Sequence, residues 1–405
     1  ILTMSFLRGL PVLTVLMLLS CIYPAAQPAP SPGTPESVTS AKAPFEVVLE
    51  LPPGEGNPRN SEGDFILLKD GGLLLIYTRF TGGSGDHAAA YLASRRSTDG
   101  GATWSKDDTE VVPNEGAMNV MSVSLLRLQD DSIALFYLRK NREDDCRPVM
   151  RISRDEGVSW GSPVECIVQP VGYYVVNNSR VIQLRDGRIV IPAARHALRG
   201  EAFSSRGRVV CYLSDDVGKT WRPSATVLEA PPEMQTGFQE PGIVQLPDGE
   251  LFMLLRNSSG VFYQSRSGDG GDTWSEAAPT TLKTPVSPAS FKLIPGTDAL
   301  LLVWNDHDGA APEIQGKRTP FTLAFSRDKG NTWEHKINLE DNPRGWYCYT
   351  AIAFTGRHVL LAYCAGDTRT MGGLALTRVG RIPLPWLLEQ VRQGLQGVPT
   401  FCFWP

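Results

Sequence analysis

The alternation of apolar and turn-forming residues along this chain predicts β-hairpins at regular intervals. Four segments share one pattern: an apolar run, a turn of the Asp-Gly type, and a second apolar run. They are FILLKDGGLLLIY (65–77), LLRLQDDSIALFY (125–137), VIQLRDGRIVIPA (181–193) and IVQLPDGELFMLL (243–255). Such a turn between two apolar runs is a strong hairpin signal, because Asp and Gly adopt the conformations that connect antiparallel strands. WYCYTAIAFTGRHVLLAYCAG (346–366) predicts a further hairpin.

A second pattern, Ser-x-Asp-x-Gly-x-(Thr/Ser)-Trp, occurs five times. The copies are STDGGATW (97–104), SRDEGVSW (153–160), SDDVGKTW (214–221), SGDGGDTW (267–274) and SRDKGNTW (326–333). In each copy the Asp can accept hydrogen bonds from turn amides, the Gly permits a positive φ, and the Trp can pack between neighbouring sheets. Because evenly repeated residues serve a repeated scaffold, we interpret the five tryptophans as structural rather than as sugar-stacking residues.

These repeats predict an all-β fold, a six-bladed β-propeller with four strands in each unit of about 55 residues. Five units carry the Ser-to-Trp pattern, and the hairpin at 346–366 supplies the sixth. The lone strand FEVVLEL (45–51) is expected to pair into the sixth blade, which would close the ring and leave no free sheet edge. The propeller is thus predicted over 45–382, and a tail with a helical pattern follows over 383–405.

The N-terminal segment has a different composition. A single Arg, a short apolar stretch over 10–19 and Ser20-Cys21 predict an export signal over 1–23, and a Pro- and Ala-rich linker follows over 24–44. Two kinds of processing stay open: ordinary cleavage near Ala25, and lipoprotein processing that would place a lipid anchor on Cys21. We therefore expect an exported protein that is periplasmic, extracellular or anchored at the cell envelope.

Composition narrows the choice of partners and cofactors. The 405 residues include 39 Lys and Arg against 43 Asp and Glu, and this slightly acidic balance argues against a nucleic-acid partner. No metal-ligand spacing and no nucleotide-binding loop stand out, so we expect neither metal nor cofactor. Cys348 and Cys364 flank one predicted hairpin, and two alternatives stay open for them: a disulfide across the hairpin, or two buried free thiols. These patterns do not determine the oligomeric state.

The hairpin turns also predict where a ligand would bind. Innermost strands of a propeller begin near the central axis, so residues at one register position should converge on one pocket. Counting back eight residues from the turn aspartates gives four polar positions: Glu62, Ser122, Asn178 and Glu240.

The five Asp boxes and the blade count resemble the sialidase (neuraminidase) superfamily over residues 45–380. The resemblance implies a catalytic acid/base, Asp86, on the Gly-rich loop of YTRFTGGSGDHAAAYLASRRS. In QEPGIVQLPDGELFMLLR it implies Glu240 beside the nucleophile and Arg256 as a substrate clamp, and in GKRTPFTLAFSRDKGNTW it implies Arg318 as a second clamp. YCYTAI resembles the nucleophile segment and places the nucleophile at Tyr349, with Tyr347 as the competitor.

The chemistry of an acidic sugar suits these residue types. A sialic acid carries a carboxylate on its anomeric carbon, so a neutral tyrosine activated by a glutamate avoids the repulsion that a carboxylate nucleophile would meet. Arginines suit the sugar's carboxylate because the guanidinium forms bidentate, charge-assisted hydrogen bonds.

One departure from the family pattern concerns the first of its three clamping arginines, which the family carries in an Arg-Ile-Pro segment. This chain has PRNSEGDFI there, with Glu62 at the register position. Arg59 and Arg79 are the candidates to replace the missing arginine. We therefore count Glu62, Asn178 and Arg79 among the expected substrate-binding residues.

The leading hypothesis is an exo-acting, retaining glycoside hydrolase of sialidase type that releases a terminal sialic acid or related acidic sugar from a glycan. Two alternatives stay open. The same scaffold would act on a different glycan if Glu62 recognises hydroxyl groups. A non-catalytic glycan-binding propeller would not need Asp86, Glu240 and Tyr349 together.

Overall fold

A computed structural model describes residues 43–393. The export signal over 1–23, nearly all of the linker over 24–44 and the end of the tail from 394 lie outside the described residues. Within this range the regular secondary structure is almost entirely β-strand, as the hairpin pattern predicts.

The strands form five hydrogen-bonded sheets and are numbered in chain order. Strand β1 (Glu46–Leu51) precedes a first sheet of β2 (Arg59–Leu67), β3 (Leu73–Phe80), β4 (Ala90–Ser97) and β5 (Thr109–Val112). The second sheet contains β6 (Asn119–Arg127), β7 (Ile133–Arg142), β8 (Asp145–Ser153), β9 (Val164–Glu165), β10 (Gly172–Val175), β11 (Ile182–Gln183), β12 (Ile189–Leu198), β13 (Arg208–Ser214) and β14 (Arg222–Leu228). The third contains β15 (Gln239–Gln245), β16 (Leu251–Arg256), β17 (Val261–Ser267) and β18 (Ala278–Lys283). The fourth contains β19 (Ser290–Leu293), β20 (Leu300–Trp304), β21 (Phe321–Ser326) and β22 (Glu334–Glu340). The fifth contains β23 (Gly345–Phe354), β24 (His358–Asp367), β25 (Thr377–Pro383) and β1.

The nine-stranded sheet consists of two groups of antiparallel strands, β6–β9 and β10–β14. A single parallel pair, Tyr173 in β10 with Cys146 in β8, joins them. The other four sheets are four-stranded and antiparallel throughout.

The predicted pairing of the first strand with the last sheet is confirmed. Strand β1 runs antiparallel to β25, with Leu51 opposite Thr377. Helix α1 (Leu384–Gln393) follows β25, in agreement with the helical pattern of the tail, and it buries Leu387 and Val391 against the last sheet. No helix within residues 43–393 is long and apolar enough to cross a membrane.

The Asp boxes pack each sheet against its neighbour. The box glycine at 157 has φ 75°, and a Cβ there would lie 2.6 Å from Leu74 in the preceding sheet. Gly101, in the first box, makes the same kind of approach to Leu360 in β24. The first and last sheets are therefore in contact, and glycine is required because a side chain at these positions would hold the sheets apart.

The box tryptophans extend this packing. Trp221 lies edge-on to Phe136 of β7 with 6.2 Å between ring centroids, and its indole Nε1 donates to the carbonyl of Gly218 at 3.0 Å. Trp274 is buried among the apolar side chains of the neighbouring strands. Both contacts agree with the structural interpretation of these residues.

Candidate active site

Four innermost strands share a backbone irregularity at one register position. Each has a β-bulge, which falls between Ser61 and Asp64, Met121 and Ser124, Gln239 and Gly242, and Cys348 and Ala351. Inside each bulge one residue other than glycine has a positive φ: Glu62 (55°), Ser122 (63°), Glu240 (41°) and Tyr349 (57°). Such conformations are costly for residues with a side chain and cluster at functional sites.

The side chains from these bulges meet in one cavity of about 370 Å³. Glu62, Ser122, Glu240 and Tyr349 line it, and so does Asp86 from the loop between β3 and β4. A volume of this size suits one small ligand, and its walls carry several ionisable groups. Three of the four positions that the register argument names thus line the cavity, together with Tyr349, which the family resemblance names.

Tyr349 and Glu240 form the centre of the cavity. The tyrosine hydroxyl donates to Oε1 of Glu240 at 3.2 Å. Burial raises the pKa of Tyr349, and the neighbouring Glu240 charge raises it further, so the hydroxyl is neutral. Burial alone would raise the pKa of Glu240, but the guanidinium groups of Arg256 and Arg318 outweigh that effect and lower it. A neutral phenol therefore faces an ionised carboxylate that can accept its proton.

Arg256 and Arg318 differ in the hydrogen-bond partners of their guanidinium groups. Arg256 forms an ion pair with Glu240 through Nη1. Arg318 is almost buried and donates from Nη2 to the carbonyl of Val286 at 3.3 Å, while its Nε and Nη1 have no partner among the described residues. The Arg318 guanidinium also lies 5.2 Å from the centroid of the Tyr349 ring. A buried cation with free donors in a cavity wall is suited to bind an anion.

Asp86 lies across the cavity and is held by Arg59. Nη1 of Arg59 donates to Oδ1 of Asp86 at 2.6 Å, and Nη2 donates to Oε1 of Glu62 at 2.9 Å. Oε2 of Glu62 accepts a hydrogen bond from Ser122 at 3.0 Å. Burial raises the pKa of Glu62, and the Arg59 charge opposes that rise only in part.

The loop that carries Asp86 is fixed through its backbone. Nζ of Lys140 donates to the Asp86 carbonyl at 2.7 Å, and Nδ2 of Asn119 donates to the carbonyls of Asp86 and Ala88 at 2.9 and 2.8 Å. Tyr173 of β10 and Phe203 of the loop between β12 and β13 form the adjoining apolar wall, with 5.1 Å between their ring centroids. Within residues 43–393 no group of His, Cys, Asp and Glu side chains has the arrangement to hold a metal ion.

Two of the expected substrate-binding residues lie elsewhere. Arg79 does not line the cavity: its Nη1 donates to Asp108 at 2.6 Å. Asn178 is buried behind the cavity wall, and its Nδ2 donates to the carbonyls of Gly63 and Tyr349 at 2.8 and 2.9 Å. These positions correct both expectations, because Arg79 is paired outside the site and Asn178 supports the backbone of Tyr349 instead of facing a ligand.

The structure also separates the two tyrosines between which the sequence leaves a choice. Tyr347 is buried against Phe321 and Tyr363 in the core of the last sheet. Tyr349 is displaced into the cavity by the bulge between Cys348 and Ala351. Cys348 and Cys364 lie opposite each other in β23 and β24 and are free, buried thiols.

Two site residues have little or no signal in the sequence. In the sequence, Arg59 is one of two candidates to replace the missing family arginine. Its contacts with Asp86 and Glu62 identify it as the arginine beside the acidic side of the cavity. Lys140 belongs to β7, a strand that the hairpin pattern describes only as scaffold, and no motif marks it as a site residue.

Comparisons with known proteins agree with this architecture. Residues 113–360 match the model of the BNR repeat-like domain, and residues 95–106 match the BNR/Asp-box repeat. The chain belongs to the BNR repeat-like domain family. The resemblance to the sialidase superfamily is thereby confirmed.

Among curated proteins, this family member is 26% identical over 316 residues to an anhydrosialidase of Macrobdella decora, a match covering 70% of this chain and 39% of the relative. It is 28% identical over 236 residues to a sialidase of Clostridium perfringens, covering 51% of this chain and 58% of the relative. The chain thus spans only part of the length of these relatives.

Solved structures show the same fold at lower identity. A leech intramolecular trans-sialidase, solved with 2,7-anhydro-Neu5Ac, superposes with a TM-score of 0.66 at 17% identity and covers 87% of this chain and 72% of its own. A Hadza microbial sialidase superposes with a TM-score of 0.65 at 19% identity, covering 82% and 67%. The fold of this BNR protein is therefore sialidase-like.

Proposed function

We propose that this protein is an exo-acting, retaining glycoside hydrolase of sialidase type that removes a terminal sialic acid or related acidic sugar from a glycan. The observation that carries the proposal is the hydrogen bond from Tyr349 to Glu240 in a cavity that also contains Asp86 and the unsatisfied donors of Arg318. The sialidases among its curated relatives support the choice of substrate class.

Tyr349 would act as the nucleophile and Glu240 as its base. As the tyrosine oxygen forms a bond to the anomeric carbon, Glu240 takes up the phenolic proton, and the glycosidic carbon–oxygen bond breaks. A neutral nucleophile suits a sugar whose anomeric carbon bears a carboxylate, because an anionic nucleophile would approach against like charge.

Arg318 and Arg256 would hold the carboxylate of the sugar. Arg318 has free donors, and Arg256 has an unpartnered Nε while its Nη1 orients Glu240. Binding an anion there satisfies buried donors, so it stabilises the complex more than the same contacts would at an exposed site.

Asp86 would act as the acid/base. It protonates the departing glycosidic oxygen in the first step, and it removes a proton from the water that cleaves the tyrosyl–sugar bond in the second. Two displacements at the same carbon give net retention of the anomeric configuration.

We further propose six blades around a central axis. Counting β6–β9 and β10–β14 as separate blades divides the five sheets into six units, and the contact of Gly101 with Leu360 supports a ring in which the first and last blades touch. The pairing of β1 with β25 supplies the last blade with its fourth strand.

For the remainder of the chain we propose a domain order of export signal (1–23), linker (24–44), propeller (45–382) and tail (383–405), with export to the cell envelope or beyond. This rests on composition alone. The test is fractionation: a Cys21→Ser variant should move from the membrane to the soluble fraction if Cys21 carries lipid, and an unchanged distribution would favour ordinary cleavage.

The test of function is turnover of a fluorogenic α-sialoside by the purified protein, with NMR analysis of the anomer released first. We expect hydrolysis with the α-anomer as the initial product. A sialosyl fluoride bearing a second fluorine next to the anomeric carbon should accumulate as a covalent adduct on Tyr349, located by peptide mass spectrometry. Binding without turnover or adduct would instead support a glycan-binding module.

A second candidate is the same chemistry on a different glycan, and Glu62 favours it. Its carboxylate stands where the family has an arginine, and a carboxylate prefers to accept hydrogen bonds from hydroxyl groups. A panel of glycosides with and without a carboxylate on the terminal sugar would distinguish the two, because this candidate predicts faster turnover of a sugar that presents hydroxyl groups in place of the carboxylate.

A further inference from the structure

Arg59 binds the carboxylates of Glu62 and Asp86, and these two side chains differ in solvent exposure. The guanidinium is 1% exposed, is packed 4.3 Å from the centroid of the Phe80 ring, and also donates from Nε to Ser61 at 2.9 Å. Glu62 is equally enclosed, with a side chain only 4% exposed. The Asp86 side chain is 60% exposed on the loop between β3 and β4. Asp86 is therefore the partner that can leave Arg59.

The loop around Asp86 contains glycines that would allow its side chain to move away from Arg59. It contains Gly82, Gly83 and Gly85, and Gly83 has φ 142°, a conformation that other residues avoid. Lys140 and Asn119 hold the Asp86 carbonyl, and Nη1 of Arg59 also donates to the carbonyl of Ser84 at 3.1 Å. The carboxylate can thus exchange partners while its carbonyl stays bound.

The pairing with Arg59 conflicts with the proposed role of Asp86 as an acid. Burial would raise the pKa of Asp86, but the Arg59 charge and hydrogen bond outweigh it and lower the pKa, with smaller effects of the same sign from Lys140 and His87. A general acid must hold a proton when the leaving group departs. In the arrangement observed, Asp86 is ionised and cannot donate one.

Of the other groups around Asp86, the carboxylate of Glu62 favours its protonation, whereas Lys140 and His87 oppose it. Glu62 on β2 is the nearest negative group, Tyr173 on β10 is neutral, and Lys140 on β7 and His87 on the same loop stay in place. A substrate carboxylate that arrives between Arg59 and the cavity would add a further like charge. Loss of the Arg59 contact and arrival of this charge both raise the affinity of Asp86 for a proton.

We propose that the carboxylate of the bound sugar replaces Asp86 as the partner of Arg59, and that Asp86 takes up one proton from solvent in the exchange. Arg59, which Asp86 and Glu62 separate from the cavity, becomes part of the anion site only when ligand is bound. Binding of the substrate thereby leads to protonation of the acid that cleaves it. The proton passes from Asp86 to the glycosidic oxygen as that bond breaks, and Asp86 becomes the carboxylate base for the second step.

This inference rests on the proposed function, and the linkage between anion and proton makes it measurable. Because the two binding events are coupled, ligand binding must be accompanied by proton uptake wherever Asp86 is ionised in the free protein and protonated in the complex. At about pH 6, well above the ordinary aspartate pKa of about 3.9, the uptake should approach about one proton per ligand, and it should fall as the pH rises further.

The experiment is isothermal titration of the purified protein with the unsaturated glycal of sialic acid, which keeps the carboxylate but has no leaving group. Titrations in buffers with different ionisation enthalpies give the number of protons taken up. Asp86→Asn should bind the glycal with no uptake, whereas Glu62→Gln, which removes only a neighbouring negative charge, should reduce the uptake without abolishing it. The methyl ester of the glycal, which has no charge, should bind more weakly and without uptake.

The outcomes separate this inference from the function on which it rests. Glycal binding without proton uptake by the unsubstituted protein would overturn the exchange and leave the sialidase proposal in place. Uptake that persists in Asp86→Asn and is lost in Glu62→Gln would assign the proton to Glu62 and also overturn it. Failure to bind the glycal, together with no hydrolysis of sialosides, would overturn the proposed function and this inference with it.

Discussion

The Asp boxes and the central bulges both recur along the chain, but they differ in whether the side chains recur with the backbone. In the boxes the backbone and the side chains recur together. In the bulges only the backbone recurs, and the residues at its positive-φ position are all different: Glu62, Ser122, Glu240 and Tyr349. A repeated shape with constant residues maintains the scaffold, whereas a repeated shape with varied residues presents different chemical groups to one point.

The aspartates of the boxes are hydrogen-bonded within the box itself. In the third box, Oδ1 of Asp216 accepts from Ser214 and from the Thr220 amide, each at 2.9 Å, and Oδ2 accepts from the Thr220 hydroxyl at 2.6 Å. These hydrogen bonds, that from the Thr220 hydroxyl most of all, lower the pKa of Asp216 to about 2. A carboxylate committed in this way serves the turn in which it lies.

The cavity that the bulge residues line leaves polar groups unused. Arg318 and Arg256 keep unpartnered nitrogen atoms beside the cavity, and Glu240 faces a tyrosine hydroxyl at 3.2 Å. Such groups reduce stability unless a ligand satisfies them. We therefore expect substitutions at the bulges to change activity more than stability, and substitutions in the boxes to do the reverse.

The largest effect should follow from Tyr349→Phe. Removing the hydroxyl removes the proposed nucleophile, so kcat should fall by about 10³-fold or more while the melting temperature stays nearly unchanged. Steady-state kinetics and thermal unfolding measure the two quantities. Tyr347→Phe is the matched control: it makes the same change two residues away, in the core, and should retain most activity. Equal activity in the two variants would contradict the assignment.

Asp86→Asn should have an effect that depends on the leaving group. An asparagine cannot protonate the departing oxygen, so natural glycosides should be hydrolysed about 10²-fold more slowly or worse. Activated aryl glycosides depart with little protonation and should lose less in the bond-breaking step. The measurement compares kcat/KM for both substrates in variant and parent. An equal loss on both would exclude acid catalysis by Asp86.

Trp221→Ala should lower the free energy of unfolding by about 3 kcal/mol, as large truncations in a core do. The indole packs against Phe136 of a neighbouring strand, and alanine would leave that space unfilled. Urea denaturation measures the loss, and kcat per folded molecule should be unchanged. Val158→Ala, at an exposed position of the second box, is the control and should have almost no effect. Lost glycan binding with intact stability would refute the structural interpretation.

The smallest effect should be the pH dependence of stability in Asp216→Asn. The folded-state pKa of Asp216, about 2, lies below its ordinary value of 3.8, so the carboxylate stabilises the fold above about pH 4 and loses this contribution as the pH falls toward 2. The variant should be less stable at neutral pH, and the difference should shrink in acid. Thermal unfolding at several pH values measures it. Asp107→Asn, the same substitution at an exposed aspartate outside the boxes, is the matched control.

Much of the fold follows from local sequence pattern. The hairpins, the five boxes and the pairing of β1 with the last sheet are all readable there, because turn geometry and strand alternation depend on residues close together in the chain. The turn aspartates also define a register that identifies Glu62, Ser122 and Glu240 as cavity residues.

The remaining features of the site depend on contacts between distant parts of the chain. Strand alternation places Tyr347 and Tyr349 on the same side of a regular strand, and only the register shift between Cys348 and Ala351 sends one to the core and the other to the cavity. Arg59 and Arg79 lie at the same end of the β2–β3 pair, one on each strand, and their acidic partners, Asp86 and Asp108, decide which of them serves the site. The sequence by itself determined the repeating scaffold and most residue types at its centre. The tertiary structure decided their partners, because hydrogen bonds and ion pairs between residues far apart in the chain form only where folding brings them together.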